Sequence, residues 1–181
     1  FAALLKPTGV STFEFPHLLR LVSENQFDTI YHEHYSYLSL TAVKKIFESN
    51  GLSVFDVETL PTHGGSLRVY AQRTNTGSHQ TSDNVIKILD QEESAGINCV
   101  DFYAGFQSKA DRVKNDFLSF LIEAKRTGKT VAGYGAAAKG NTLMNYAGVR
   151  QDLLSYVVDL NPAKQDKFLP GSRIPIVGEK Y

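Results

Sequence analysis

The amino-acid sequence predicts an α/β fold made of three consecutive segments. Residues 1–73 mix strands with a helix, and the runs LSVFDVETL and SLRVYAQR have the composition of strands. Residues 74–128 are predicted to be helical because their apolar side chains recur at three- and four-residue spacing. Residues 129–181 follow the order strand, glycine turn, helix and strand, which is typical of a parallel sheet with a crossover helix.

The first segment is predicted element by element from local patterns. Its opening FAALLK resembles the end of an amphipathic helix stopped by Pro7 and Gly9. A strand is predicted for VSTFEFP, and a helical turn or short helix for residues 17–24. The run LTAVKKIFESNGL predicts a helix with Gly51 as its C′ residue, and the turn PTHGG separates the two strands that follow.

The connector, residues 74–128, is predicted to contain two helices, the first interrupted near Gly96. The second runs from about Ala104 to Arg126. Its apolar stripe predicts core or inter-domain packing by Phe106, Val113, Phe117, Phe120 and Leu121. In the third segment, LSYVVDLNP is the second strand, and KQDKFLPGSRIPIVG is a loop with a short third strand.

Composition and charge exclude several classes of protein. Nineteen basic side chains balance nineteen acidic ones, which does not favour a nucleic-acid groove or an anionic membrane surface. The single cysteine, Cys99, excludes an internal disulfide and a zinc site built on several thiolates. No apolar run approaches the roughly 20 residues that span a bilayer. We expect a cytoplasmic chain that belongs to a longer protein, and the sequence leaves its oligomeric state open.

The sequence GYGAAA at residues 133–138 matches a GxGxxA nucleotide-binding pattern between a predicted strand and a predicted helix. Glycines let main-chain N–H groups approach a phosphate, and a helix N-terminus favours the anion. The alternative is a tight strand–helix turn without a ligand. The predicted binding residues, which include added donors and a carboxylate placed for a ribose hydroxyl, are Gly133, Tyr134, Gly135, Lys139, Asn141, Thr142 and Asp159.

The run YHEHYSY at residues 31–37 is dense in proton-transfer groups. Histidine can act as a general base near neutral pH, and tyrosine can donate to a developing enolate oxygen. On a strand, His32 and His34 would share a face and could bind a metal with a third ligand such as His63. An interfacial loop with satisfied side chains is the third interpretation.

The run THGGSLR lies between the two strands of the first segment, where paired glycines usually form a hairpin turn. The functional alternative is a glycine loop whose amides and side chains face a substrate. The residues concerned are His63, Gly64, Gly65, Ser66 and Arg68. Glu14 and Glu33 are a further possible carboxylate pair, at a separation that the sequence does not give.

Four runs in one order resemble the S-adenosylmethionine-dependent sugar C-methyltransferases: FDTIYHEHYSYLSL, HGGSLRVYAQR, GYGAAAKGNTLMNY and VVDLNPAKQDKFLPGSRIPI. The resemblance covers nearly the whole chain. It implies methyl transfer to C-3 of a nucleotide-linked 4-keto deoxysugar, typically a dTDP-sugar, in deoxysugar biosynthesis. The implied catalytic residues are His34 as general base, Tyr31 beside the enolate, and Glu33, which binds the sugar or orients His34; His32 is the rival base. The turn at 133–138 and Lys139 would then serve the sugar nucleotide's phosphates.

The resemblance also implies how the chain is organised. Residues 1–73 would be the C-terminal strands and helix of a class I methyltransferase sheet, 74–128 a helical connector, and 129–181 an incomplete Rossmann-like sugar-nucleotide domain. The family's zinc cysteines and methyl-donor loop are absent from this sequence, so the parent protein would bind S-adenosylmethionine and the isolated chain would be inactive. Two other functions compete: an NAD(P)-binding oxidoreductase built on residues 133–159, and a non-catalytic nucleotide-sugar-binding module.

Overall fold

The computed structural model describes residues 1–180 and divides into two compact units. The first unit comprises Phe1–Gln26 and Tyr35–Phe106, and the second comprises Phe27–His34 together with the chain from Gln107 onward. The eight residues Phe27–His34 therefore belong to a different unit from the chain on either side of them. This division places the YHEH run with the C-terminal part of the molecule.

The first unit is built on a three-stranded sheet. Strands β1 (Val10–Pro16), β2 (Leu52–Leu60) and β3 (Ser66–Arg73) lie in the order β1-β3-β2, with β3 antiparallel to both neighbours. All three predicted strands are confirmed. Helices α1 (Leu18–Ser23), α2 (Leu40–Ser49) and α3 (Asp83–Ala95) complete the unit, and its core consists of Leu40, Val43, Val54, Val57, Leu67, Val69, Val85 and Ile88.

Local signals fixed the ends of these helices. The Ser39 hydroxyl accepts a hydrogen bond from Ala42 N at 3.0 Å and caps α2, while Gly51 follows the helix at φ +76°. Gly96, at φ +77°, ends α3 as predicted. The helix expected at FAALLK is wrong: Leu4 and Leu5 donate to Phe1 O in an isolated turn that Pro7 does not extend.

The second unit contains a four-stranded sheet of very short strands. These are β4 (Gly133–Tyr134), β5 (Val157–Val158), β6 (Lys167–Phe168) and β7 (Pro175–Val177), in the order β4-β5-β7-β6. The pairs β4–β5 and β5–β7 are parallel and β6 is an antiparallel edge, so the predicted parallel arrangement is confirmed. Helix α5 (Ala138–Ala147) connects β4 to β5.

Helix α4 (Phe106–Arg126) confirms the second connector helix, but its buried face differs from the predicted stripe. Of the predicted core residues, Leu121 is fully buried, whereas Phe120 is 62% exposed and Val113 is 41% exposed. Two small residues, Ala110 and Ala124, are buried instead, because their side chains leave room for close packing. Within residues 1–180, no helix combines the length and apolar character that crossing a membrane requires.

Candidate functional site

The YHEH run is attached to α5 by the residues that precede it. Phe27–Thr29 form a 3-10 turn that packs against α5. The Phe27 ring lies 5.3 Å from the ring of Tyr146 near the end of that helix, and Thr29 is buried. The run therefore starts from a fixed point on the helix that follows the glycine turn.

Tyr31 and His34 form a pair within a tight turn. The main-chain N–H of His34 donates to Tyr31 O at 3.0 Å, and His34 Nε2 lies 2.9 Å from the Tyr31 hydroxyl. Both side chains are half-buried. Burial raises the pKa of Tyr31, and the nearby carboxylates of Glu33 and Asp28 raise it further. The phenol therefore remains protonated at neutral pH and is available as a hydrogen-bond donor.

The neighbouring His32 lies in a different environment. Its side chain is 85% exposed, and its Nε2 atom is 3.9 Å from Oε1 of Glu33, whose side chain is 70% exposed. Because the run forms a turn rather than a strand, the shared face expected for His32 and His34 does not form. In the part of the chain that the structure describes, no three His, Cys, Asp or Glu side chains are grouped to hold a metal ion.

The glycine turn at 133–138 leaves open space beside its main chain. Gly133 N donates to Tyr156 O and Gly135 N donates to Val158 O, which fixes the turn on β5. Gly135 has φ +90°, and apart from Gly135 and its chain neighbours no heavy atom of residues 1–180 lies within 4 Å of the position that a Cβ would take. Helix α5 begins directly after Ala137, whose methyl side chain cannot cap it. This turn therefore has room for an anion at an uncapped helix N-terminus.

Asp159 holds that turn in shape. Its Oδ2 atom accepts from Ala136 N at 2.7 Å and from Lys164 Nζ at 3.2 Å, while Oδ1 accepts from Asn161 N at 2.8 Å. The hydrogen bonds from Asn161 and Ala136 hold the pKa of Asp159 below its usual range. Both oxygens are thus engaged within the protein, and the predicted ribose contact stays a prediction.

Other side chains predicted around this turn have individual surroundings. The Thr142 hydroxyl donates to Ala138 O at 3.1 Å, and the Tyr134 hydroxyl donates to Glu179 at 2.7 Å. Asn141 Oδ1 is buried without a hydrogen-bond partner among the described residues. Asn141 thus retains an unused acceptor in the first turns of α5.

The HGG turn of the first unit is bordered by the protein's own side chains. His63, Gly64 and Gly65 all have positive φ, at 55°, 86° and 117°. A Cβ on Gly64 would meet Gln26 at 2.6 Å, and one on Gly65 would meet Arg20 at 3.1 Å. These residues form a packed hairpin turn, and the Ser66 hydroxyl closes it by donating to Thr62 O at 3.1 Å.

Arg68 is engaged on the exposed face of the three-stranded sheet. It faces Glu14 on β1 and Glu58 on β2 in register, with N–O distances of 3.0 and 3.4 Å. Tyr70 donates to Glu58 at 2.8 Å. The hydrogen bond from Arg68 to Glu14 raises the pKa of Arg68 and lowers the pKa of Glu14.

The structure thus gathers the predicted residues into two groups. Residues 31–34 and 133–142 share the second unit, whereas 63–68 lie in the first. No pattern in the sequence indicated a role for Tyr146, whose ring packs against Phe27 and whose hydroxyl donates to Asp111 at 2.6 Å. The buried pair of His17 and Glu92 was not predicted either. Glu92 continues the helical spacing of the apolar face of α3, and a charged residue on that face is a signal of a buried partner.

The two sheets and their helices place this chain in the broad α/β class, with Phe27–Thr29, just before the YHEH run, packed against the crossover helix α5. Comparison with known proteins narrows that class. The family model described as the C-methyltransferase C-terminal domain matches residues 61–181, and the chain belongs to this family. The chain is also 42% identical over 175 residues to C-methyltransferase NovU of Streptomyces niveus. The aligned region covers 97% of this chain and 41% of that protein. The chain therefore spans about two fifths of the length of this relative.

Proposed function

We propose that this chain is the C-terminal part of a methyltransferase that transfers a methyl group from S-adenosylmethionine to C-3 of a nucleotide-linked 4-keto deoxysugar. The observation that carries the proposal is the His34–Tyr31 pair in the same unit as the open glycine turn. A family of C-methyltransferases supports carbon as the methyl acceptor. The cytoplasm is the proposed location, because one cysteine offers no disulfide to an oxidising compartment.

The reaction requires a base and a hydrogen-bond donor on neighbouring atoms of the sugar. The C-3 proton is acidic because C-4 is a ketone, so a base that removes it forms an enolate. His34 takes this proton while the phenol of Tyr31 donates to the enolate oxygen at C-4. Before substrate binds, the two groups satisfy one another at 2.9 Å. The Glu33 carboxylate is exposed and can accept a hydrogen bond from a hydroxyl of the sugar.

S-adenosylmethionine would supply the electrophilic methyl group that C-3 receives. Neither glycine turn is assigned to this methyl donor, because Gln26 and Arg20 border the HGG turn and the turn at 133–138 is assigned to the sugar nucleotide. We therefore assign no residue of this chain to the methyl donor.

The nucleotide is proposed to bind at the glycine turn. Its phosphates would approach the main chain at Gly133–Gly135 and the N-terminus of α5, where Lys139 adds positive charge. This assignment accounts for a left-handed glycine beside empty space. An oxidoreductase would use the same turn for NAD(P), but it gives the His34–Tyr31 pair no role.

The arrangement of the first unit supports its assignment to the end of a class I methyltransferase sheet. Strand β3 lies antiparallel between β1 and β2. The outer edge of β1 pairs with no strand among residues 1–180, which leaves it available for the rest of such a sheet. The second unit, with its parallel β4, β5 and β7, is proposed to be the Rossmann-like part.

Proton exchange at C-3 tests the catalytic assignment in the full-length protein. Without the methyl donor, the wild-type protein should exchange the C-3 proton of the 4-keto sugar nucleotide with deuterated water. His34→Ala should lower that exchange by roughly 10²–10⁴-fold, whereas the exposed His32→Ala is the matched control and should retain it. Exchange that survives in His34→Ala and disappears in His32→Ala would transfer the role to His32.

Calorimetric titration with dTDP, NAD and S-adenosylmethionine tests the ligand class on the isolated chain. Binding of dTDP alone is the expected result. Binding of NAD alone would favour the oxidoreductase. If dTDP binds but the full-length protein performs no exchange at C-3 and no methyl transfer, a non-catalytic sugar-nucleotide module is the better description.

A further inference from the structure

Glu92 on α3 is a fully buried carboxylate that joins three segments of the first unit. Its Oε1 atom accepts from His17 Nε2 and from Leu40 N, both at 2.7 Å. Its Oε2 atom accepts from Thr41 N at 2.8 Å and from the Thr41 hydroxyl at 2.6 Å. Glu92 is 0% exposed and His17 is 3% exposed, so neither side chain is open to solvent.

The surroundings of Glu92 favour its ionised form. Burial alone would raise the pKa of Glu92, but the hydrogen bonds from His17, Thr41 and Leu40 outweigh it and hold the pKa below its ordinary value. The two main-chain donors belong to the first residues of α2, where the helix dipole favours a negative charge. A buried charge with this many donors fixes the position of each donor, since losing one leaves a costly unpaired group.

The donors of Glu92 belong to segments that border the functional runs. The main-chain N–H of His17 donates to Gly65 O of the HGG turn, and that of Leu18 donates to Leu38 O, both at 3.0 Å. Leu38 follows His34 by four residues, and only Ser39 separates it from Leu40 and Thr41. Glu92 therefore fixes the point at which the chain leaving the YHEH run enters α2.

We propose that Glu92 and His17 are positioning residues of the methyltransferase, which hold the HGG turn and the downstream anchor of the catalytic segment in one arrangement. Neither is assigned a contact with the substrate, since Glu92 is 0% exposed and His17 is 3% exposed. The inference rests on the proposed function for its kinetic consequence. Its structural part, the fixing of residues 38–41 and of the HGG turn, stands independently of any reaction.

The kinetic test compares Glu92→Gln with Glu93→Gln in the full-length protein. Glu93 is the exposed neighbour on the same helix, so its variant is the matched control. A glutamine at position 92 must turn an NH₂ group toward existing donors. We expect kcat and the rate of C-3 exchange to fall roughly tenfold to a hundredfold, with the dissociation constant for dTDP unchanged because the nucleotide turn lies in the second unit.

His17 provides a second pair of variants that keep the carboxylate. His17→Ala removes the donor to Glu92 Oε1, whereas His17→Gln retains an N–H that can replace it. We expect His17→Ala to lower kcat and His17→Gln to restore most of it. A role in overall stability alone would not produce this difference at a temperature where all variants are folded.

Hydrogen exchange supplies a readout that does not depend on the reaction. In Glu92→Gln, the amides of residues 17, 18 and 40–43 should exchange faster, while those of α5 should be unchanged. If these amides keep their wild-type protection, or if kcat and C-3 exchange stay at wild-type values, the positioning role is overturned. If the wild-type protein shows no exchange at C-3 while the amides respond as expected, the proposed function fails and the structural fixing by Glu92 stands.

Discussion

The two glycine turns of this chain share a backbone conformation and differ in what surrounds them. Gly64 and Gly65 in the first unit and Gly135 in the second all have positive φ. A side chain on Gly64 would meet Gln26 at 2.6 Å, whereas one on Gly135 would meet no heavy atom of residues 1–180 within 4 Å beyond Gly135 and its chain neighbours. A glycine can therefore be required by local backbone geometry at both turns, and the turns differ in whether another side chain lies against the glycine.

This difference changes how glycine motifs should be interpreted. Both turns suggested a substrate site from the sequence, since glycine permits close approach of another group. In the HGG turn the approaching groups are Gln26 and Arg20 of the same chain. At the turn at 133–138, the approaching group that we propose is the sugar nucleotide.

The largest expected effect comes from Gly135→Ala. The new methyl group enters the space beside the turn and strains a backbone at φ +90°, so we expect at least about tenfold weaker dTDP binding to the full-length protein. Gly148→Ala is the matched control, because Gly148 has φ +69° and equally open surroundings at the other end of α5. Equal affinities of the two variants, measured by calorimetry, would contradict the assignment of the turn.

Gly64→Ala should affect stability instead of nucleotide binding. Its side chain meets Gln26 and its backbone is left-handed, so we expect a loss of about 1–3 kcal/mol in the free energy of unfolding. Adding Gln26→Ala should recover the part due to the collision. Chemical denaturation measures both effects, and a Gly64→Ala protein of full stability with weakened dTDP binding would reverse the roles of the two turns.

Acid should destabilise the first unit through Glu92. The pKa of Glu92 is lowered in the folded protein, so its contribution is complete above the ordinary value of about 4.3 and is lost as the pH falls through the folded-state value. The wild-type protein should therefore lose about 1–3 kcal/mol more than Glu92→Gln between roughly pH 5 and pH 3. Parallel pH profiles of unfolding would show that the buried carboxylate contributes no such stability.

The smallest effect is expected on the exposed face of the first sheet. Tyr70→Phe removes only the hydroxyl that donates to Glu58, while Arg68 keeps its pairing with Glu14. Exposed polar contacts contribute little to stability, so the midpoint of thermal unfolding should not change measurably. A clear decrease would mean that this face is covered in the full-length protein.

Local patterns in the sequence predicted most secondary structure of the first unit. Alternating apolar residues and the PTHGG turn located β2 and β3, because each strand buries one face. The FAALLK helix is wrong because Pro7 follows a single hydrogen-bonded turn, which is too short to be a stable helix. On α4, the apolar stripe was correct at Leu121 and Phe117, which pack in the core of the second unit, but Phe120 is largely exposed.

The contacts of the candidate site depend on tertiary structure more than the secondary structure of the first unit does, so the sequence predicted fewer of them. No local pattern distinguishes His34 from His32, and only the fold makes one half-buried beside Tyr31 and leaves the other open. Likewise, the spacing of Asp159 after the glycine turn was noticed, but its bonds to Ala136 and Lys164 depend on how the following loop folds back. Such contacts join residues whose sequence separation carries no periodic signal.

The position of Phe27–His34 in the second unit has a consequence for assembly during translation. Once residues 1–106 of this chain have left the ribosome, the sheet of the first unit can form, and these eight residues remain a loop held at both ends. The loop can pack in place only after α5 has been synthesised and the Phe27 ring contacts the ring of Tyr146. His34 thus precedes α5 in the chain by about a hundred residues, and a chain cut before α5 would lack the surface on which Phe27–Thr29 pack.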